Sequence, residues 1–145
     1  MLCDDGVIRP VVPGSVGVAD GRWIKVALLL DAGADRTVFS SDFLELLQPL
    51  EVAEAEPVRL AGVGGQADSI TVETALAFIK DDGQPVTVRG TFRVFTESES
   101  ADIPVLGRDV TNNFSVIYDY PHQAVALLSP PHYYEIKTKS RTRKI

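Results

Sequence analysis

Only one cysteine, Cys3, occurs in the 145 residues, so no internal disulfide framework staples this chain. The fold must rest on a packed core, and a hydrophobic fraction of 45% supplies enough material for one domain. Histidine is nearly as scarce. His122 and His132 have no Cys or His at ligand spacing, so neither a metal nor another cofactor is expected. Long hydrophobic runs are missing too. Val26 to Leu30 is among the longest and falls far short of the ~20 residues that cross a bilayer. Met1-Leu2-Cys3-Asp4-Asp5 has no basic stretch leading into an apolar one. No signal peptide is expected on that pattern, and a cytoplasmic chain without a membrane partner is the reading that follows.

Positive charge is short over most of the chain. The net charge is −6, yet residues 135–145 hold Lys137, Lys139, Arg141, Arg143 and Lys144 against Glu135 alone. That end sums to +4 and the rest to −10. An acidic body excludes a nucleic-acid-binding surface on the domain itself. The basic end, with Ser and Thr between its charges, reads as a solvated tail over residues 130–145. The domain proper is expected over residues 7–129.

What is present is mostly strand pattern. Ile24, Val26, Leu28 and Leu30 alternate with Lys25, Ala27 and Leu29, and the end of this run is apolar on both faces. Ile70, Val72, Leu76 and Phe78 share one parity, as do Val86, Val88, Phe92 and Val94. Between these runs lies Lys80-Asp81-Asp82-Gly83-Gln84, whose Asp-Gly pair signals a hairpin. A last hairpin is expected from residues 116–120 and 124–128 across Pro121-His122-Gln123. Helix signals are few. Asp42 and Glu45 have capping-box spacing ahead of a stop at Pro49, and a second short helix is expected from Asp109 to about Phe114. Trp23 reads as packing, and Cys3, with no base near it in sequence, as incidental.

The sharpest chemical signal is Leu29-Leu30-Asp31-Ala32-Gly33-Ala34-Asp35-Arg36-Thr37. An apolar strand delivers a carboxylate into a turn of small residues, where apolar surroundings disfavour the charged form. Gly33 allows close backbone approach. Asp-Gly turns are common, but Asp4-Asp5-Gly6 and Asp81-Asp82-Gly83 neither follow an apolar strand nor precede Ala-Asp-x-Thr. Two further segments follow in order. They are glycine-rich Leu60-Ala61-Gly62-Val63-Gly64-Gly65-Gln66, between two strand patterns, and Ile103-Pro104-Val105-Leu106-Gly107-Arg108-Asp109.

Together these three segments resemble the retropepsin family, the retroviral proteases and their single-domain cellular and bacterial relatives. The likeness spans about residues 20–128. It implies an all-β fold, a closed acid-protease β-barrel with a flap hairpin and one or two short helices. It also implies an aspartic endopeptidase in which Asp31 is the catalytic carboxylate and its partner is the Asp31 of a second, identical subunit. The substrate would be an extended peptide. Gly33, Ala34, Asp35 and Arg36 would hold it on the loop side, and Ala61, Gly62, Val63 and Gly64 on the flap side. Thr37 and Arg108 would support the loop, with Arg108 paired to Asp35. Ala32 departs from the family pattern of Thr or Ser, whose hydroxyl bonds to the opposite loop across the dimer axis. A methyl group makes no such bond. The resemblance therefore also implies a second outcome, a catalytically weak or inactive fold that serves as a dimerisation or peptide-binding module.

Overall fold

A computed structural model of the protein describes residues 6–53, 60–62, 65–97, 103–133, 135 and 137. The chain starts with β1 (Val11–Gly17), which turns back into β2 (Trp23–Leu30). Pro13 and Gly14 disguise β1 as a turn in the sequence, yet both lie in strand register opposite Ala27 and Val26. A Cβ on Gly14 would sit 3.2 Å from both the Ala77 carbonyl and the Phe78 ring, so a side chain there would require these neighbours to give by a few tenths of an ångström. Regular pairing with β2 begins at Val11.

After β2 come β3 (Val38–Phe39) and a single-turn α1 (Leu44–Leu47) flanked by 3-10 turns at Ser41–Phe43 and Gln48–Leu50. The capping box expected from Asp42 and Glu45 does not form. Asp42 falls inside the first 3-10 turn, whose cap residue is Ser40, and no side chain caps either segment. Pro49 is accommodated in the second 3-10 turn, where its missing N–H costs no helical bond.

The short β4 (Leu60–Gly62) and β5 (Gly65–Ala67) form a hairpin of their own, with Ala61 opposite Gln66 and Gly62 opposite Gly65. The two long strands, β6 (Ser69–Ile79) and β7 (Pro85–Phe95), pair over their whole length. Gly83 has φ +81°, which is the conformation the Asp-Gly turn demands. Then follow β8 (Val105–Leu106) and α2 (Arg108–Thr111). The chain closes with the hairpin of β9 (Ser115–Asp119) and β10 (Ala124–Leu128), joined through a 3-10 turn at Tyr120–His122.

Hydrogen bonding closes a ring in the order β1-β2-β8-β3-β7-β6. Its interior is filled by Val16, Leu28, Phe39, Leu76, Val94 and Leu106, all with no exposed surface. Phe39 packs its ring edge-on to Phe92 with centroids 6.2 Å apart. Trp23, expected as packing, is half exposed at the start of β2 and lies against Gly17.

Candidate active site

The end of β2 is gripped from both sides. The Leu29 N–H donates to the Pro104 carbonyl at 2.8 Å, and the Leu30 N–H to the Pro10 carbonyl at 2.8 Å. The Asp31 N–H then donates to the Leu106 carbonyl at 3.2 Å. The strand therefore stays anchored up to the residue that carries the carboxylate. There it breaks into a turn, in which the Ala34 N–H donates to the Asp31 carbonyl at 3.1 Å. The Gly33 N–H donates to Asp31 Oδ1 at 2.8 Å and orients the side chain. A Cβ on Gly33 would stand 3.2 Å from that oxygen, so a larger residue would crowd it. Among the described residues, Asp31 Oδ2 accepts no hydrogen bond. Asp31, Ala32 and Gly33 are exposed in the single chain. The apolar surroundings expected for the carboxylate are absent there, and Leu29 and Leu30 just before it are themselves only half-buried.

The far side of the loop is pinned by the start of α2. Arg108 forms an ion pair with Asp35, as the Gly-Arg-Asp segment leads one to expect. Both side chains lie largely in solvent, and pairs of that kind contribute about 0–1 kcal/mol. The stronger tie is one the sequence reading assigned no role. Asp109 accepts from the Thr37 N–H at 2.9 Å and from the Thr37 hydroxyl at 2.7 Å. That hydroxyl in turn accepts the Gly107 N–H at 3.0 Å. Thr37 is 0% exposed, and charge-assisted bonds out of water are the strong ones. The backbone adds two more links, from the Arg108 N–H to the Ala34 carbonyl at 2.8 Å and from Asp109 N–H to the Asp35 carbonyl at 3.3 Å. Gly107 permits this approach. A Cβ there would lie 2.8 Å from the Thr37 nitrogen and closer still to the Arg36 carbonyl group.

Comparison with protein-family models and with curated proteins gives no match. Solved structures do match. The EIAV protease complexed with the inhibitor HBY-793 superposes with a TM-score of 0.50 at 20% identity, over 72% of this chain and 86% of that one. The retroviral protease-like domain of Ddi1 from Leishmania major gives 0.54 at 17% identity, over 83% and 89%. A retropepsin-like aspartic protease from Rickettsia conorii gives 0.51 at 14%, over 87% and 92%. The chain has a retropepsin-like fold.

Within this retropepsin-like fold, the β4–β5 hairpin is the expected flap. Ala61 and Gly62 lie on its first strand, and Val63 and Gly64 lie outside the described residues. Ala34, Asp35 and Arg36 follow Gly33 around the loop, with Asp35 and Arg36 exposed. Among the described residues no group of His, Cys, Asp and Glu is arranged to hold a metal ion. No described helix is long and apolar enough to cross a membrane. Asp109 was hidden because its partner Thr37 is 72 residues away. The usable signal was Thr37 itself: a threonine buried behind a loop needs an acceptor for its hydroxyl.

Proposed function

We propose that the protein is an aspartic endopeptidase, a hydrolase of peptide bonds, that works as a homodimer. One observation carries this reading. In a retropepsin-like fold, an anchored apolar strand ends on Asp31, whose carboxylate is oriented by the Gly33 N–H. One carboxylate is half of what the chemistry requires. Two carboxylates held close cannot both ionise, so they share a proton and titrate as a unit. One then accepts a proton from water as the other donates toward the peptide carbonyl. The chain offers one such aspartate, so the second Asp31 comes from an identical subunit across a two-fold axis.

The substrate is an extended peptide lying as an added strand between loop and flap. Gly33, Ala34, Asp35 and Arg36 line one side of it, and Ala61, Gly62, Val63 and Gly64 the other. Arg36 favours acidic substrate residues near the scissile bond. No metal, other cofactor, nucleic acid or membrane enters this reading, and residues 7–129 are the unit that carries it.

Ala32 favours a second reading. Without a hydroxyl, the two loops lack a bond across the axis, and looser carboxylates cost activity more steeply than stability. The fold would then act as a dimerisation or peptide-binding module. Digestion of a peptide library at acid pH, with sedimentation of the same samples, separates the two. Cleavage by the wild type that is lost in Asp31→Asn supports the peptidase. Intact dimers that bind peptides and leave them uncut support the module. Cleavage sites with no enrichment of acidic residues would remove the role given to Arg36.

A further inference from the structure

One line of residues crosses five strands of the ring, starting beside Asp31. Register pairs Leu29 with Val105, Val105 with Val38, Val38 with Arg93, and Arg93 with Thr71. Paired residues in neighbouring strands point to the same side of a sheet. Their chain neighbours Leu28, Leu106, Phe39, Val94 and Val72 have no exposed surface and fill the ring. The line therefore faces outward. Asp31 lies two residues beyond Leu29, and its N–H still bonds across to Leu106, so it stands at the end of the same face.

The line changes character along its length. Leu29, Val105 and Val38 are apolar and half-buried, and Arg93 is a half-buried cation. Thr71 is 7% exposed, and its hydroxyl is buried with no hydrogen-bond partner among the described residues. The Ser69 hydroxyl, two residues earlier on the same side of β6, is in the same state. Most buried hydroxyls are bonded, so two orphans side by side call for an explanation. Both lie at the root of the β4–β5 hairpin, because Asp68 alone separates β5 from β6.

We propose that Arg93, Thr71 and Ser69 form a pocket for a carboxylate side chain of the substrate. This rests on the peptidase reading above and adds what the cleaved peptides carry, an Asp or Glu at a fixed distance from the scissile bond. A guanidinium only donates and a hydroxyl can donate, so the group that accepts from all three is a carboxylate. A guanidinium has five N–H donors, so Arg93 holds that carboxylate while keeping its contacts within the chain. The cation also offsets the repulsion that a chain of net charge −6 exerts on an acidic peptide. The pocket is separate from Arg36, which lies exposed on the Asp31 loop. Three strand spacings separate β2 from β7, about 14 Å, and an extended peptide advances about 3.3 Å per residue. The acidic residue therefore sits about two to four positions from the bond that is cut.

A peptide library digested by the wild type locates the enriched position. Two matched peptides, with Glu or Gln there, are then compared at about pH 6, where a peptide Glu is ionised. The wild type should favour the Glu peptide in kcat/KM about tenfold or more, the scale of a hydrogen bond to a charged group. Arg93→Gln should bring that ratio close to one, chiefly through KM, and leave the Gln peptide unaffected. Arg93→Lys should keep part of the preference. Thr71→Val should lower the ratio about threefold without lowering the melting temperature, since a methyl group replaces an orphaned hydroxyl. Arg89→Gln, exposed on the same strand and opposite Ala75, should change nothing. A ratio unchanged in both Arg93→Gln and Thr71→Val would overturn the pocket. So would enrichment of Lys, Arg or neutral residues throughout those positions. A wild type that cuts no peptide would overturn the peptidase reading, and the affinities of library peptides with Glu or Gln would then decide the pocket. Equal affinities, or no binding, would overturn it as well.

Discussion

Thr37→Val isolates the tie between the Asp31 loop and α2. Valine matches threonine in shape, so no cavity opens, and what is lost is the hydroxyl. That hydroxyl donates to Asp109 at 2.7 Å and accepts the Gly107 N–H at 3.0 Å. Losing a hydrogen bond to a charged group costs about 1.5–3 kcal/mol, and stranding a buried N–H costs about 1–3 kcal/mol. The Thr37 N–H still donates to Asp109, at 2.9 Å, so the carboxylate keeps one partner. The net expected loss is about 3 kcal/mol, a large fraction of the ~5–15 kcal/mol that holds an ordinary domain together. Urea unfolding at one fixed protein concentration measures it. With slopes of about 1–3 kcal/mol per molar, the midpoint should fall by roughly 1–3 M without a change in slope. Asp35→Ala, which removes the exposed ion pair with Arg108, should cost under ~1 kcal/mol in the same assay. A loss at Thr37→Val no larger than at Asp35→Ala would refute the ranking of buried tie over surface pair.

Three further outcomes follow from the same geometry. Ala32→Thr supplies the hydroxyl missing from each loop and should tighten the dimer about thirtyfold, the worth of two symmetry-related hydrogen bonds of ~1 kcal/mol each; unchanged or weaker association in sedimentation would count against a loop–loop contact. Gly107→Ala drives a methyl group into the Arg36–Thr37 backbone and should lower the melting temperature by roughly 10 °C, about 3 kcal/mol for a chain of this size. An unshifted melt would mean that the backbones are not so close. In the β6–β7 turn, the Gln84 N–H and then Lys80 hold the Asp82 carboxyl below the usual aspartate range. A depressed folded value adds stability above that range, and the addition is lost as pH falls through it. Asp82→Asn should therefore flatten the acid end of the stability–pH curve, and a curve of unchanged shape would argue that the turn bond is not kept in solution.

Local patterns were legible in the sequence, and long-range ties were not. The alternation in residues 70–78 and 86–94, with Asp-Gly between, was enough to expect the hairpin of β6 and β7. The run into Asp31 read as an apolar strand because its end is held on both sides, by Pro10 and by Pro104 and Leu106. β1 was obscured because Pro13 and Gly14 look like turn residues. Gly14 lies close to the Ala77 carbonyl and the Phe78 ring, neighbours far away in sequence. The Asp42 and Glu45 pair misled for the opposite reason. Its spacing is right for a capping box, but the local backbone is a 3-10 turn. At the candidate site, Arg108 was visible through its place in a segment, whereas Asp109 beside it acts through a threonine that only the fold brings near.

The most direct test of the peptidase reading is the digestion of a peptide library at acid pH by wild type and by Asp31→Asn, each shown to be folded and of the same oligomeric state. The expected result is internal cleavage by the wild type and none by Asp31→Asn. Equal cleavage by the two proteins would contradict it.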